Sequence, residues 1–294
     1  MNDLQKRIEK ARQLINDAEY IVIGAGAGLS EAAGFHYAGE RYDDNFSDFK
    51  KKYGIGDMYT GTFYNFKTEE EKWAFWARVI QCNVYDTHPT PLYQKLRHIV
   101  KDKKYFVITT NADHQFFING FNMNSYFETQ GNYIYLQCQK GCHNKVYYNK
   151  DMIQQMIEQT KDCKIPHGLV PRCPVCGKKM DVHVRKDQFF VETDVWKKNN
   201  EKYAHFLRNA LYHKVVFLEF GVGFNTPGII RYPFEQMVYQ NEDANLIRFN
   251  RDYPLCLKGN EKNVLSFSED ILSILEKING ENNDESKTKR NVSY

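Results

Sequence analysis

The sequence predicts an α/β fold: a doubly wound parallel sheet with a smaller metal-holding and helical domain attached. Three observations lead there. Apolar runs of strand length (Tyr20–Ile23, Tyr105–Ile108, Val215–Phe220 and Asn245–Phe249) alternate with stretches of helical spacing, the signature of parallel strands joined by crossover helices. Three of these runs end in small or amide residues, before Gly24, Asn111 and Gly221, and open α/β sheets hold ligands beyond the carboxyl ends of their strands. Finally, Cys138-x3-Cys142 and Cys173-x2-Cys176 fall in a single segment. Two pairs can turn back on one ion, and four thiolates suit tetrahedral zinc in a closed, structural site.

The totals set bounds. At 294 residues the chain can bury a large core, and 42% hydrophobic with 26% charged residues fits a globular protein. A formal charge of +3 gives no reason to expect a nucleic-acid surface. No apolar run spans a bilayer, and MNDLQKRIEKARQLINDA reads as a charged helix rather than a signal peptide. The expected setting is cytoplasmic, with no membrane and no nucleic-acid partner. Clustered cysteines in a reducing compartment point to metal more than to disulfides.

In chain order, Leu4, Ile8, Ala11, Leu14 and Ile15 lie at helical spacing, so 3–18 reads as an amphipathic helix. Tyr20–Ile23 is a buried strand, followed by Gly24, Gly26, Gly28 and a helix through Leu29–Ala33. From Ala38 to about Gly61 the chain is polar, aromatic and irregular, and reads as short helices and loops over a cleft. Thr68–Glu71 opens a helix with Trp73, Trp76, Ala77 and Ile80 on one face. Thr87–Pro91 breaks the chain before a helix over 92–100, and Tyr105–Ile108 then runs into Thr109-Thr110-Asn111-Ala112-Asp113-His114. After the cysteine segment, sheet patterning is expected again at Phe189–Val191, then a helix over 194–210. Val215–Phe220 leads into Gly221-Val222-Gly223-Phe224-Asn225, and Thr226-Pro227 reads as a helix start. A strand ending at Asn250, another at Val264–Phe267 and a helix from Glu269 to Ile278 finish the fold.

The turn through Gly24, Gly26 and Gly28 has the form that brings backbone amides and a helix start against a phosphate, since side chains would hold the phosphate away. The competing reading is a tight strand–helix turn without a ligand. Asn111 and Asp113 likewise serve either a ligand or the cap of the next helix.

Together these motifs resemble those of the sirtuin family. Gly26-Ala27-Gly28-Leu29-Ser30 with Ala33-Gly34-Phe35 resembles the family's nucleotide loop, and Thr110-Asn111-Ala112-Asp113 resembles its TQNxD motif. His88 and Leu92 lie in a stretch similar to its PxxxH…L helix start. The cysteine pairs stand where its zinc ribbon stands. Gly221-Val222-Gly223 occupies the place of Gly-Thr-Ser, and Asn250 ends the strand that supplies an adenosine contact. Two departures count. Glu128-Thr129-Gln130-Gly131 stands where deacylating sirtuins carry His-Gly, so Gln130 replaces the catalytic histidine. His36-Tyr37-Ala38-Gly39 replaces Pro-Asp-Phe-Arg. With these changes the chain is similar to the macrodomain-linked (class M) microbial sirtuins, a subgroup implicated in protein ADP-ribosylation.

The resemblance implies a sirtuin-type, Rossmann-like NAD-binding domain over 1–45, 97–137 and 188–279. It implies a helical module and cofactor loop over 46–96, a zinc-binding module over 138–187 and a disordered tail over 280–294. The implied activity is NAD-dependent transfer of ADP-ribose to a carrier protein with release of nicotinamide. The alternatives are NAD-dependent lysine deacylation and non-catalytic NAD or ADP-ribose sensing. Implied partners are a lipoyl-carrier protein similar to the glycine-cleavage H protein and a macrodomain hydrolase that reverses the modification. Asn111, Asp113 and Gln130 carry the catalytic roles. The cofactor set adds Gly26, Ala27, Gly28, Ser30, Glu31, Gly221, Val222, Gly223, Asn225, Asn250 and Arg251. NAD is the co-substrate, and Cys138, Cys142, Cys173 and Cys176 hold structural zinc. Glutamine has no titratable nitrogen and cannot be a general base, so His36 and His114 are the candidates for a displaced one.

Overall fold

In the computed structural model, which describes residues 2–280, six strands form one parallel sheet in the order β3-β2-β1-β7-β8-β9. The strands are β1 (Tyr20–Ala25), β2 (Lys104–Thr109), β3 (Tyr126–Glu128), β7 (Val215–Phe220), β8 (Ala244–Phe249) and β9 (Val264–Phe267). From β1 the chain winds outward through β2 and β3, then returns to lay β7 on the other edge of β1. Winding direction therefore reverses between β1 and β2 on one side and β7 on the other, and the strand ends open a crevice there. The tail expected over 280–294 lies, from residue 281 on, outside the described residues.

All six residues of β7 are buried, as a parallel strand covered on both faces requires. Side chains alternate between two cores. Ile21 and Ile23 pack with Ile8, Ala11 and Ile15 of α1 (Asp3–Asp17), Leu92 and Leu96 of α6 (Pro91–Val100) and Ile274 of α11 (Ile271–Ile278). Val22 and Phe217 pack on the other face, with Tyr203 of α9 (Asp194–Ala210) and Phe234 of α10 (Arg231–Gln240).

A second unit holds an antiparallel sheet, β5-β4-β6, made of β4 (Gly131–Cys138), β5 (Val146–Tyr148) and β6 (Met180–Val184). It shares one core with α3 (Glu40–Tyr53), α5 (Glu69–Ile80) and α8 (Lys150–Gln159), in which Phe46, Phe49, Trp73 and Phe75 meet Leu136, Cys138, Ile153 and Cys173. The start of α5 follows the sequence: Thr68 and Glu71 form a reciprocal capping box.

Residues 38–61 form short helices, as expected: α3 is two helical pieces joined at a kink at Phe46 (φ −133°, ψ 21°), with Tyr42, Phe46 and Phe49 buried and Gly39 and Gly54 at φ 70° and 69° at its two ends. A shorter helix, α4 (Met58–Thr62), follows. Phe189–Val191 is not a strand. Its backbone is instead held by the Gln137 side chain, which donates to Phe189 O and accepts from Val191 N. Thr226-Pro227 forms a turn, and α10 starts at Arg231, with Pro233 in its first turn, where a missing N–H costs nothing. Among the described residues, no helix is long and apolar enough to cross a membrane.

Candidate functional site

A cleft of about 1020 Å³ opens over the crevice between β1 and β7. Its floor exists because two glycine turns touch. Gly26 N donates to Phe220 O at 2.9 Å and Gly28 N to Gly221 O at 3.0 Å. A Cβ on Gly28 would lie 2.7 Å from Gly221 Cα, and one on Gly221, at φ 57°, would lie 2.4 Å from Gly28 Cα. The amides of Gly26 and Gly28 are thus spent on the neighbouring turn. The Ala27 amide, at the first position of α2 (Ala27–Ala32), has no backbone partner among the described residues. Gly221→Ala combines a disfavoured φ with a backbone clash, and strain of that kind costs about 1–3 kcal/mol. We expect a lower Tm together with weaker NAD binding, read by thermal melting and by titration with NAD.

The end of β2 adds a buried polar knot. Asn111 Nδ2 donates to Gly26 O at 2.9 Å and to Ser30 Oγ at 3.0 Å, while its own amide donates to Thr109 Oγ1. The Ser30 hydroxyl donates to Asp113 Oδ2, and Asp113 Oδ1 accepts from Gln115 N at 3.2 Å. Tyr93 OH lies 3.4 Å from Ser30 Oγ. Burial pushes the Asp113 carboxyl above its usual range, an effect that the Ser30 hydrogen bond opposes.

Gln130 borders the same cleft on a tightly held segment. Thr129 N donates to Thr109 O at 3.0 Å, Trp196 Nε1 to Thr129 O at 3.2 Å, and Arg185 N to Gln130 O at 2.9 Å. Gly131, at φ 87°, passes so close to β6 that a Cβ would lie 2.1 Å from His183 O. The Gln130 side chain, in contrast, borders the cleft and makes no hydrogen bond among the described residues.

All fourteen residues assigned to the nucleotide from sequence border this cleft. Their surroundings differ. Asn250 donates to Val222 O at 2.9 Å and accepts from the amides of Asp252 and Tyr253, so its side chain shapes the loop around it. Arg251 is exposed and paired with Asp252 at 3.1 Å, and Glu31 pairs with His36 Nδ1 at 2.7 Å. His36 borders the cleft. His114 is not among the lining residues; it stacks on Phe117 at 4.5 Å and bonds Asn132.

The sequence reading missed an aromatic wall. Tyr37, Trp76 and Tyr133 line the cleft, joined by the exposed Tyr59 of α4 and Phe63 just after it. The Tyr37 and Tyr133 hydroxyls lie 3.2 Å apart. Burial pushes Tyr133 up to about 12 and also raises Tyr37, so both stay neutral. The aromatic content is visible in sequence, but these residues come from four separate segments and share no spacing.

The four cysteine sulfurs lie within 4.8 Å of one another, with Cys138–Cys176 and Cys142–Cys173 both at 3.7 Å. Sulfurs placed tetrahedrally about 2.3 Å from zinc stand about 3.8 Å apart, so the donor set and its spacing fit a structural zinc ion. Gly177, at φ 68°, makes the tight turn after the second pair. His143 Nδ1 lies 3.0 Å from Cys142 Sγ, while His183 is stacked on Phe190.

Comparison with known proteins decides the family. The chain is 36% identical to a protein ADP-ribosyltransferase of Staphylococcus aureus (strain Mu50 / ATCC 700699) over 276 residues, covering 94% of this chain and 88% of that one. It belongs to the sirtuin-type protein ADP-ribosyltransferases. A probable bifunctional ADP-ribose hydrolase/ADP-ribosyltransferase of Fusarium oxysporum f. sp. cubense is 30% identical over 260 residues, and this sirtuin-type chain spans only 43% of its length. Among solved structures, a mutant Sir2 homologue in complex with ADP-ribose superposes with a TM-score of 0.57 at 14% identity, covering 92% of this chain and 94% of that one. A Sir2 homologue in complex with NAD gives 0.56 at 16% identity, covering 92% and 91%. These structural matches establish the fold. No protein-family model matches the chain.

Proposed function

We propose that this sirtuin-type enzyme transfers ADP-ribose from NAD to a carrier protein and releases nicotinamide. The observation that carries the reading is Gln130: the cleft has a free amide where lysine deacylation needs a base.

The reaction breaks the bond between nicotinamide nitrogen and ribose carbon. The electron pair leaves with nicotinamide, which loses its ring charge, and the ribose carbon becomes cation-like. An acceptor nucleophile then gives an electron pair to that carbon and releases its proton. This step needs placement and a matching field more than proton transfer. Asp113 supplies negative charge at the knot, Asn111 keeps its carbonyl oxygen for a ribose hydroxyl or a water, and Gln130 holds the ribose hydroxyls with its amide. The Ala27 amide at α2 faces the pyrophosphate. Tyr37, Trp76 and Tyr133 shield the reacting carbon from water, which would otherwise yield free ADP-ribose.

A lipoyl-carrier protein similar to the glycine-cleavage H protein is the proposed acceptor, and a macrodomain hydrolase the reversing enzyme. The joined hydrolase and transferase of the Fusarium relative's name support the second. A cytoplasmic setting fits a protein whose cysteines are all unpaired by disulfides. One observation favours a second reading, deacylation with a displaced base: His36 borders the cleft with Glu31 on its Nδ1. Product analysis with labelled NAD, given an acyl-lysine peptide and a lipoyl carrier together, separates the two. Label on the carrier supports transfer. Acyl-ADP-ribose, lost in His36→Ala, would establish deacylation instead.

A further inference from the structure

Four charged side chains are buried beside the cleft without lining it. Glu219 and Arg248 are 0% exposed, Glu235 1% and Arg231 5%. Glu219 on β7 and Arg248 on β8 are cross-strand partners. Arg248 Nε and Nη2 grip both Glu219 oxygens at 2.7 and 3.0 Å, and its Nη1 reaches Glu235 Oε1 at 2.7 Å. Arg231 Nη1 stands 3.4 Å from Glu219 Oε1. Two positive and two negative groups cancel, but desolvating all four is a cost that apolar side chains of similar volume would avoid.

The remaining hydrogen bonds go to one place. Arg231 Nη2 donates to Tyr253 O at 3.1 Å and Leu255 O at 3.0 Å, and Arg248 Nη1 to Leu255 O at 2.7 Å. Glu235 Oε2 accepts from Leu257 N and from Asn260 Nδ2. Arg231 Nη1 also lies 3.4 Å from Val222 O. These groups all belong to the connection from β8 to β9 and to the turn after β7. Residues 250–263 contain neither helix nor strand, although parallel neighbours are usually joined through a helix. Asn250, Arg251, Asp252 and Tyr253 of this connection, and Val222 of the turn, line the cleft.

We infer that the Arg231–Glu219–Arg248–Glu235 network is a positioning device for the adenosine half of NAD, replacing a crossover helix as the support of that wall. The inference rests on the proposed placement of NAD, with its nicotinamide end at Asn111, Asp113 and Gln130. The network touches no ligand. It fixes the carbonyls of Val222, Tyr253 and Leu255, so that the wall is already in place when the nucleotide arrives and binding does not have to order it.

The test uses the full chain with Arg231→Met and Arg231→Lys, beside Asn111→Ala. Lysine keeps the charge but lacks the fork that reaches three carbonyls and a carboxylate together. ADP-ribose binding by calorimetry and nicotinamide release from NAD are measured for each. The expected result is at least a tenfold loss of ADP-ribose affinity and a tenfold rise in KM for NAD in both Arg231 variants, with kcat at saturating NAD within threefold of the unaltered chain. Should Arg231→Met fail to fold, Arg231→Lys alone carries the same readout. Wild-type affinity in a folded Arg231 variant, or a fall in kcat with KM unchanged, would overturn the positioning role and leave the NAD reading standing. Failure of the unaltered chain to bind either NAD or ADP-ribose would overturn the reading beneath it.

Discussion

Asp113→Asn is expected to lower turnover by about 10²-fold or more while leaving the protein at least as stable as before. The stability half follows from the sign of the perturbation. Burial raises the Asp113 pKa in the folded state, so between the unfolded and folded values the native state holds the proton more tightly. Stability therefore falls as pH rises through that window, and above it the buried carboxylate is a standing cost. Asparagine removes the cost: its single oxygen can accept from Gln115 N, and its Nδ2 can donate to Ser30 Oγ once that hydroxyl turns, so both partners of Asp113 stay satisfied. For a chain of this size each kcal/mol recovered raises Tm by about 2–4 °C. The activity half follows from charge: removing one preorganised group that matches a developing charge costs about 10²–10³-fold in kcat. Turnover in the unaltered enzyme should also show an acid limb above the ordinary carboxylate range, absent from the Asn variant. A pH–rate profile and a melting curve on both proteins check the two halves together. A variant that keeps full activity, or one that melts lower, would show that Asp113 is a structural cap.

Removing the metal, or replacing Cys173 by Ser, is expected to melt the second unit and leave the parallel sheet. Cys138 and Cys173 are part of the core that Phe46, Phe49, Trp73 and Phe75 share with β4 and α8, whereas the two cores flanking the parallel sheet contain no cysteine. Structural zinc contributes about 10–16 kcal/mol of binding free energy in zinc-finger peptides, comparable with or above the whole stability of a typical domain. Thermal unfolding should change from one transition to two, with the early one abolished by restoring zinc to the chelated protein. Activity should fall with the first transition, because Tyr37, Trp76 and Tyr133 approach the cleft from the second unit or its border. A chelated protein with a single unchanged transition would contradict this.

The parallel sheet and its cleft were legible in sequence because the information is local. A strand of apolar residues ending in Gly26, Asn111 or Gly221 states both its burial and its ligand-facing end, and the cysteine spacing states its own geometry. What sequence could not state was which turns touch. Gly28 reads as a phosphate contact, yet its amide is committed to Gly221 O, a pairing between residues almost two hundred positions apart. The same limit hid the Tyr37–Tyr133 contact and the Arg248–Glu219 pair, which joins two neighbouring strands.

This cleft, with Gln130 in place of a base, moves ADP-ribose onto a protein. The most direct measurement is transfer of label from NAD to a lipoyl-carrier protein by the unaltered enzyme, Asn111→Ala and Gln130→Ala. Label is expected on the carrier with the unaltered enzyme and is lost in both variants, with nicotinamide released in step. Label-free carrier alongside turnover of an acyl-lysine peptide would contradict it, and would show that the cleft supports deacylation without a histidine at position 130.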